Sequence, residues 1–132
     1  MNCQDILNAA IRKVCEDPSD SATDDYRERA PYLLADFLSE CSRLDAFYRQ
    51  AHGLPATLPF EEVYISLSAE FPLCKVFAPA AANWLAAMLV VEENEELSDR
   101  LFARSSDLLA KIQTSVPAGR KTITDVYRLS EC

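Results

Sequence analysis

The stretch VFAPAAANWLAAMLVV, residues 76–91, decides the fold, because it is long, apolar and free of charged side chains. Alanine, leucine and methionine are strong helix formers, and Pro79 suits a first helical turn, where its missing N–H would lack a partner anyway. A helix that is apolar all round is buried on most of its surface. A membrane span needs about 20 apolar residues, and this stretch is shorter and contains Asn83. The stretch therefore predicts a buried helix of a soluble protein.

The composition changes abruptly after Val91, where the sequence EENEE places four carboxylates in residues 92–96. Apolar residues then resume at spacings that build one helical stripe, which predicts an amphipathic helix. Together the two helices predict a hairpin from Phe77 to Ile112, with the acidic patch at its corner. Adjacent carboxylates at a turn lack the convergent geometry of a metal site, and no histidine lies nearby. The stripe consists of Leu97, Leu101, Phe102, Leu108, Leu109 and Ile112.

Length and composition point to one helical domain. The chain has 132 residues, which is enough for one domain, and its two glycines are fewer than sheet-rich folds usually need. A net charge of −8 argues against a primary role in binding nucleic acid, since phosphate contacts need clustered lysine and arginine.

The cysteines and the first residues predict a cytosolic protein. The five cysteines are odd in number and form no C-x-x-C pair, which is typical of reduced thiols in a cytosolic protein. No basic-then-apolar signal sequence opens the chain, so we expect no membrane anchor.

Two helices are predicted before the hairpin. Residues 3–15 have amphipathic spacing, with Asn2 as a cap and Asp5 in the first turn. The second helix has two possible starts: Thr23, which would place Pro31 inside the helix, or Ala30, after a short preceding turn and a kink. We favour the second start. This helix should end at His52-Gly53-Leu54-Pro55, where glycine supplies a left-handed cap and proline blocks continuation.

Two further segments have strand-like composition. Residues 63–68 alternate, so that Val63, Ile65 and Leu67 share one face, and a lone strand needs a partner later in the chain or in another copy. Residues 122–129 are β-branched and aromatic and predict either a strand pairing with 63–67 or a short helix capped by Thr124. We assign a partner-binding role to these segments, and the candidate residues are Val63, Ile65, Leu67, Arg120, Lys121, Ile123, Val126, Tyr127 and Leu129.

No catalytic or metal-binding motif is found in the sequence. Two isolated glycines cannot form a phosphate loop, and neither G-x-S-x-G nor H-E-x-x-H occurs. His52, the only histidine, lies where it can hydrogen-bond the last carbonyls of a helix. We therefore predict a non-enzymatic protein with no catalytic residue, no metal and no cofactor.

The layout resembles the small head–tail connector, or adaptor, proteins of tailed phages and prophages. Residues 77–102, FAPAAANWLAAMLVVEENEELSDRLF, carry most of the resemblance, which extends as a pattern over residues 2–115. It implies a ring-like oligomer of identical copies that assembles on the portal and joins it to neck or tail proteins. It also implies a cytoplasmic location in the bacterial host, followed by a place in the virion, with neither a membrane nor sequence-specific nucleic acid as a partner.

The sequence therefore predicts a mainly all-α protein. Residues 1–116 form a four-helix bundle-like domain with a short extended segment near 63–67, and residues 117–132 form an extended C-terminal arm. Two other functions stay open. One is a small cytosolic helical module that binds or regulates another protein. The other is a small enzyme, which would need a polar pocket around Asn83, His52 or a carboxylate pair.

Overall fold

A computed structural model describes residues 1–14, 16–17 and 19–116, and this part of the chain contains four α-helices and no strand. Helix α1 spans Cys3–Lys13, α2 spans Asp24–Ala51, α3 spans Ala78–Leu89 and α4 spans Glu95–Ser115. Single 3₁₀ turns, Ser21–Thr23 and Lys75–Phe77, lead into α2 and α3. The mainly helical fold class is confirmed. The arm predicted for residues 117–132 lies outside the described residues.

Helix α3 lies at the centre of the bundle and packs against α1, α2 and α4. Its composition explains this position, because a helix of alanine and leucine has no polar face to turn toward water. The predicted buried helix is confirmed. None of the helices in the described residues combines the length and the apolar character that crossing a membrane requires. The buried residues of α3 are Ala80, Ala81, Ala82, Asn83, Leu85, Ala86, Ala87 and Leu89.

Two buried serines hold α3 and α4 together as an antiparallel hairpin. The Ser98 hydroxyl donates to the carbonyl of Ala87, and the Ser105 hydroxyl donates to the carbonyl of Ala80, each at 2.9 Å. A serine side chain is short, so it reaches the main chain of a neighbouring helix only when the two helices lie close together. The alanines of α3 permit this approach. Ser98 is not among the stripe residues predicted from the sequence, but the structure buries it completely.

The corner of the hairpin is built as the acidic sequence predicted. The side chain of Asn94 accepts the N–H of Leu97 and caps α4, while Glu95 and Glu96 lie in its first turn. Negative charge is favourable there because the helix N-terminus carries partial positive charge. From α2, the Arg29 guanidinium donates to the carbonyl of Leu89 at 3.1 Å and thereby satisfies the C-terminal end of α3.

Helix α2 begins earlier than the favoured prediction. It is continuous from Asp24 to Ala51 with Pro31 inside it, so the expected start near Ala30 after a separate turn is wrong. Proline supplies no N–H to the helix. Both Ala30 and Pro31 are buried, and packing against the rest of the core stabilises the helix through this position.

The 63–68 segment was expected to need hydrogen-bond partners later in the chain or in another copy. The start of α1 supplies them instead. Asn2 and Asp5 form the predicted cap as a reciprocal capping box. The N–H groups of Cys3 and Gln4 donate to the carbonyls of Ala69 and Leu67, at 2.9 and 2.8 Å. Residues 63–67 are extended but form no strand, so the strand prediction is wrong. The carbonyls of Leu67 and Ala69 instead accept the free N–H groups at the start of α1.

The seam between α3 and α4 generates a prediction. Replacing Ser105 by leucine forces a large side chain between the closely packed helices and removes the hydrogen bond to Ala80. We expect a loss of about 2–3 kcal/mol in the free energy of unfolding, measured by chemical denaturation. Ser106→Leu, at the exposed neighbouring position, is the matched control and should change stability by no more than about 0.5 kcal/mol. Equal effects at the two positions would contradict a close seam.

The buried thiols predict the response to alkaline pH. Burial raises the pKa of Cys3 from 9.0 to about 11, and burial with the nearby Glu40 raises the pKa of Cys41 to about 12. Below pH 9 both thiols are protonated in the folded and unfolded chain alike. Above pH 9 the unfolded chain loses protons that the folded chain keeps, so stability should fall as the pH rises toward 11.

Denaturant titrations at pH 8 and at pH 10.5 measure this effect. The double variant Cys3→Ala/Cys41→Ala is less stable at pH 8, but it should lose less stability between the two pH values than the parent protein. An unchanged pH dependence in the double variant would show that these thiols are not responsible.

Candidate partner-binding surface

Residues 54–64, here called the strap, form an extended segment that begins where α2 ends. Gly53 has a φ of +67°, the left-handed conformation that closes helices, and the Leu54 N–H donates back to the carbonyl of Arg49 at 2.8 Å. His52 Nδ1 lies 2.9 Å from the carbonyl of Tyr48, and its ring stacks on the Tyr48 ring. The predicted glycine cap and the predicted role of His52 at the helix end are both confirmed.

The strap runs back along the outside of α2. Near its middle, the Phe60 N–H donates to the Ser42 hydroxyl at 2.7 Å. At its end, the rings of Tyr64 and Tyr32 meet edge to face with centroids 5.1 Å apart. Just beyond, the Ile65 N–H donates to the carbonyl of Pro31 at 3.2 Å. The strap is therefore antiparallel to α2 and ordered by contacts along its length.

The strap and the adjoining face of α2 expose large apolar side chains. Leu58 is 91% exposed and Val63 is 78% exposed, and Tyr32, Phe47 and Tyr64 are also exposed. Single exposed apolar residues are ordinary, but a group along one structural element is typical of an interaction site. These five side chains and the strap backbone together form the candidate partner-binding surface.

The backbone of the strap is also open to a partner. The N–H groups of residues 56–58 and 61–64 have no hydrogen-bond partner among the residues that the structure describes. They face water, because every strap residue except the half-buried Phe60 is exposed. An exposed extended segment of this kind accepts a second extended chain by main-chain hydrogen bonding.

A buried ion pair on α2 fixes the base of the strap. Asp45 is 2% exposed, and its carboxylate accepts the Arg49 Nε–H at 2.8 Å and the Cys74 N–H at 2.9 Å. The Arg49 guanidinium also donates to the carbonyls of Pro55 and Pro72, at 3.2 and 3.1 Å. This pair, here called the clamp, therefore attaches both the strap and the segment before α3 to the end of α2.

The electrostatics of the clamp follow from its burial. The hydrogen bond from Arg49 to the Asp45 carboxylate raises the pKa of the guanidinium, which stays charged. Burial raises the pKa of the neighbouring Cys74 thiol. A cavity of about 400 Å³ lies beside the clamp and is bordered by Tyr48, Leu54, Phe71 and Val76, among others.

The structure separates the residues that the sequence grouped together. Val63 is exposed on the strap, whereas Ile65 is buried in the core and Leu67 is half-buried, so their expected common face does not form. Leu67 also contributes its carbonyl to the start of α1. The other predicted residues, Arg120, Lys121, Ile123, Val126, Tyr127 and Leu129, lie outside the described residues.

Sequence reasoning missed the clamp and most of the exposed surface. The clamp had a recognisable signal, since Asp45 follows Cys41 by four residues on the buried face of α2 and precedes Arg49 by four. A carboxylate at an inward position, with an arginine one turn later, is typical of a buried ion pair. The exposure of Tyr32, Phe47 and Leu58 had no such signal, because it depends on which faces the other helices cover.

Among the described residues, no group of three or more histidine, cysteine, aspartate or glutamate side chains is arranged to hold a metal ion. Comparison with protein-family models, with curated proteins and with solved structures finds no match to this chain.

The clamp generates a prediction about the strap. Asp45→Asn keeps the shape of the side chain but leaves the largely buried Arg49 without its counter-charge. We expect a loss of about 3 kcal/mol in the free energy of unfolding and faster hydrogen exchange at Leu54 and Cys74, whose backbone the clamp positions. Asp36→Asn, at an exposed position of α2, is the matched control. Unchanged exchange at both sites would show that the clamp does not hold the strap.

Proposed function

We propose that this chain is a head–tail connector protein of a tailed phage or prophage. It acts without catalysis, forms a ring-like oligomer, and joins the portal to neck or tail proteins. It resides in the cytoplasm of the bacterial host until it is incorporated into a virion. The observation that carries the proposal is the strap, an ordered extended segment that presents apolar side chains and free backbone N–H groups outside a closed helical core.

The body of the protein suits a component that must keep its shape during assembly. The core draws on all four helices, and the α3–α4 hairpin is held by hydrogen bonds to buried carbonyls. Such a body does not need a partner to fold. The strap therefore binds partners as a preformed surface, which lowers the conformational entropy lost on association.

The resemblance of residues 77–102 to connector proteins supports the same proposal. Those residues form α3, the corner and the first part of α4, with α3 buried and the acidic corner exposed. The net charge of −8 is compatible with a channel through which DNA slides without adhering.

Co-assembly with the portal tests the proposal. The purified protein is mixed with the portal ring encoded nearest to it, and the mixture is examined by sizing with light scattering and by negative-stain microscopy. A connector adds a collar to the ring. A protein that stays separate from the ring even at high concentration is instead a small helical binding module with another partner.

Deleting residues 118–132 should abolish assembly while leaving the fold intact, because every buried core residue in the described structure lies between Cys3 and Ile112. Circular dichroism and thermal unfolding check the fold, and sizing with the portal checks assembly. A chain carrying the same fifteen residues in scrambled order is the matched control for length and charge, and it should also fail to assemble. Normal assembly of the truncated chain would remove the C-terminal segment from the proposal.

A further inference from the structure

We propose that the strap is the docking site for residues 117–132 of a neighbouring copy of this chain. The inference rests on the proposed connector role, because a ring requires a repeated contact between identical subunits. It goes further by naming the two surfaces that meet. The C-terminal segment adds alongside the strap as an extended chain, hydrogen-bonded through the backbone.

The free backbone groups of the strap define the kind of partner. The N–H groups of residues 56–58 and 61–64 are free, and on an extended segment every second one points to the same edge, where an added strand can accept it. Residues 122–129, TITDVYRL, are rich in the β-branched and aromatic types that favour extended backbone. Leu58 and Val63 supply apolar area on the strap for such a chain to cover.

Charge complementarity favours docking of the C-terminal segment on the strap over docking in the cavity beside the clamp. Glu61 and Glu62 are exposed on the strap. The C-terminal segment carries three basic residues, Arg120, Lys121 and Arg128, against two acidic ones, Asp125 and Glu131, and its adjacent pair Arg120-Lys121 is the part that complements Glu61 and Glu62. The wall of the cavity beside the clamp contains Arg49 and Lys75 as well as Glu70, so it offers a basic segment less net negative charge than the adjacent Glu61 and Glu62 of the strap. Opposite charges steer association and select the binding register.

The C-terminal segment begins where α4 ends, at a position from which it can reach a neighbouring copy. In the antiparallel hairpin Ser98 lies beside Ala87 and Ser105 beside Ala80, so α4 runs toward the start of α3 and also contacts the 3₁₀ turn Lys75–Phe77. Residues 73–76 border the same cavity as Leu54, the first residue of the strap, so α4 ends on the side of the bundle where the strap begins. Sixteen extended residues span up to about 50 Å, more than the about 42 Å length of α2. The segment is therefore long enough to reach a neighbour.

A charge-swap experiment with the full-length chain tests the contact. Glu61→Lys/Glu62→Lys should weaken self-association at least about tenfold at low ionic strength, measured by sedimentation equilibrium up to high protein concentration. Adding Arg120→Glu/Lys121→Glu to that variant should restore association. Glu92→Lys/Glu96→Lys changes the net charge equally at the exposed hairpin corner and is the matched control, with little expected effect. Equal weakening by strap and corner variants, or no rescue by the swap, would overturn the proposal.

Cross-linking shows whether the contact lies between copies. A zero-length carbodiimide joins a carboxylate to a lysine amine, so a mixture of ¹⁵N-labelled and unlabelled protein should give mixed-isotope peptides linking Lys121 to Glu61 or Glu62. Links within single copies only, or links from Lys121 to Glu70 beside the clamp cavity, would overturn the proposal. The cross-linking is done without the portal, so its result is independent of co-assembly. A cross-link between copies together with failure to bind the portal would refute only the connector role. Portal binding without the cross-link would refute only this contact.

Discussion

The close approach of α3 and α4 is the constraint on which the rest of the structure depends. Two serine hydroxyls of α4 reach main-chain carbonyls of α3, seven residues apart on both helices. Such short side chains make these bonds only if the facing positions of α3 are small, and alanine provides that space. Each hydroxyl would be costly to bury without a partner, so the hydrogen bonds also fix the lengthwise alignment of the hairpin.

That alignment determines where the other segments lie. With α4 covering one side of α3, helices α1 and α2 cover the remaining sides, and within residues 1–14, 16–17 and 19–116 no strand contributes to the core. The segment from residue 65 to residue 71 then fills the gap between the start of α1 and α2, where its carbonyls cap α1. What remains outside is the strap, which the Asp45–Arg49 clamp attaches to the end of α2.

The strap and the clamp represent opposite uses of polar groups. The clamp buries two charges and satisfies them with each other and with three backbone groups on two segments, so it gives the loops one defined arrangement. The strap leaves the N–H groups of residues 56–58 and 61–64 unpaired on exposed residues, where they cost little and remain available to another chain. A rigid base below an open edge is the arrangement expected of a preformed binding surface.

The sequence by itself determined the helices and most of their ends, though not the start of α2, because those ends depend on local chemistry. The apolar run 76–91, the Asn2–Asp5 capping box, the acidic corner and the Gly53 cap all specify structure through residues within one or two turns.

Only the tertiary structure decided the features that depend on distant contacts. Pro31 stays inside α2 because the surrounding core stabilises the helix there. Ile65 is buried while Val63 is exposed because α2 and the start of α1 provide hydrogen-bond partners for the segment that follows the strap. Ser98 is buried because the facing side chains of α3 are small enough there for α4 to approach. An alternating or helical sequence pattern contains no information about the size of the side chains that a residue faces in the folded protein.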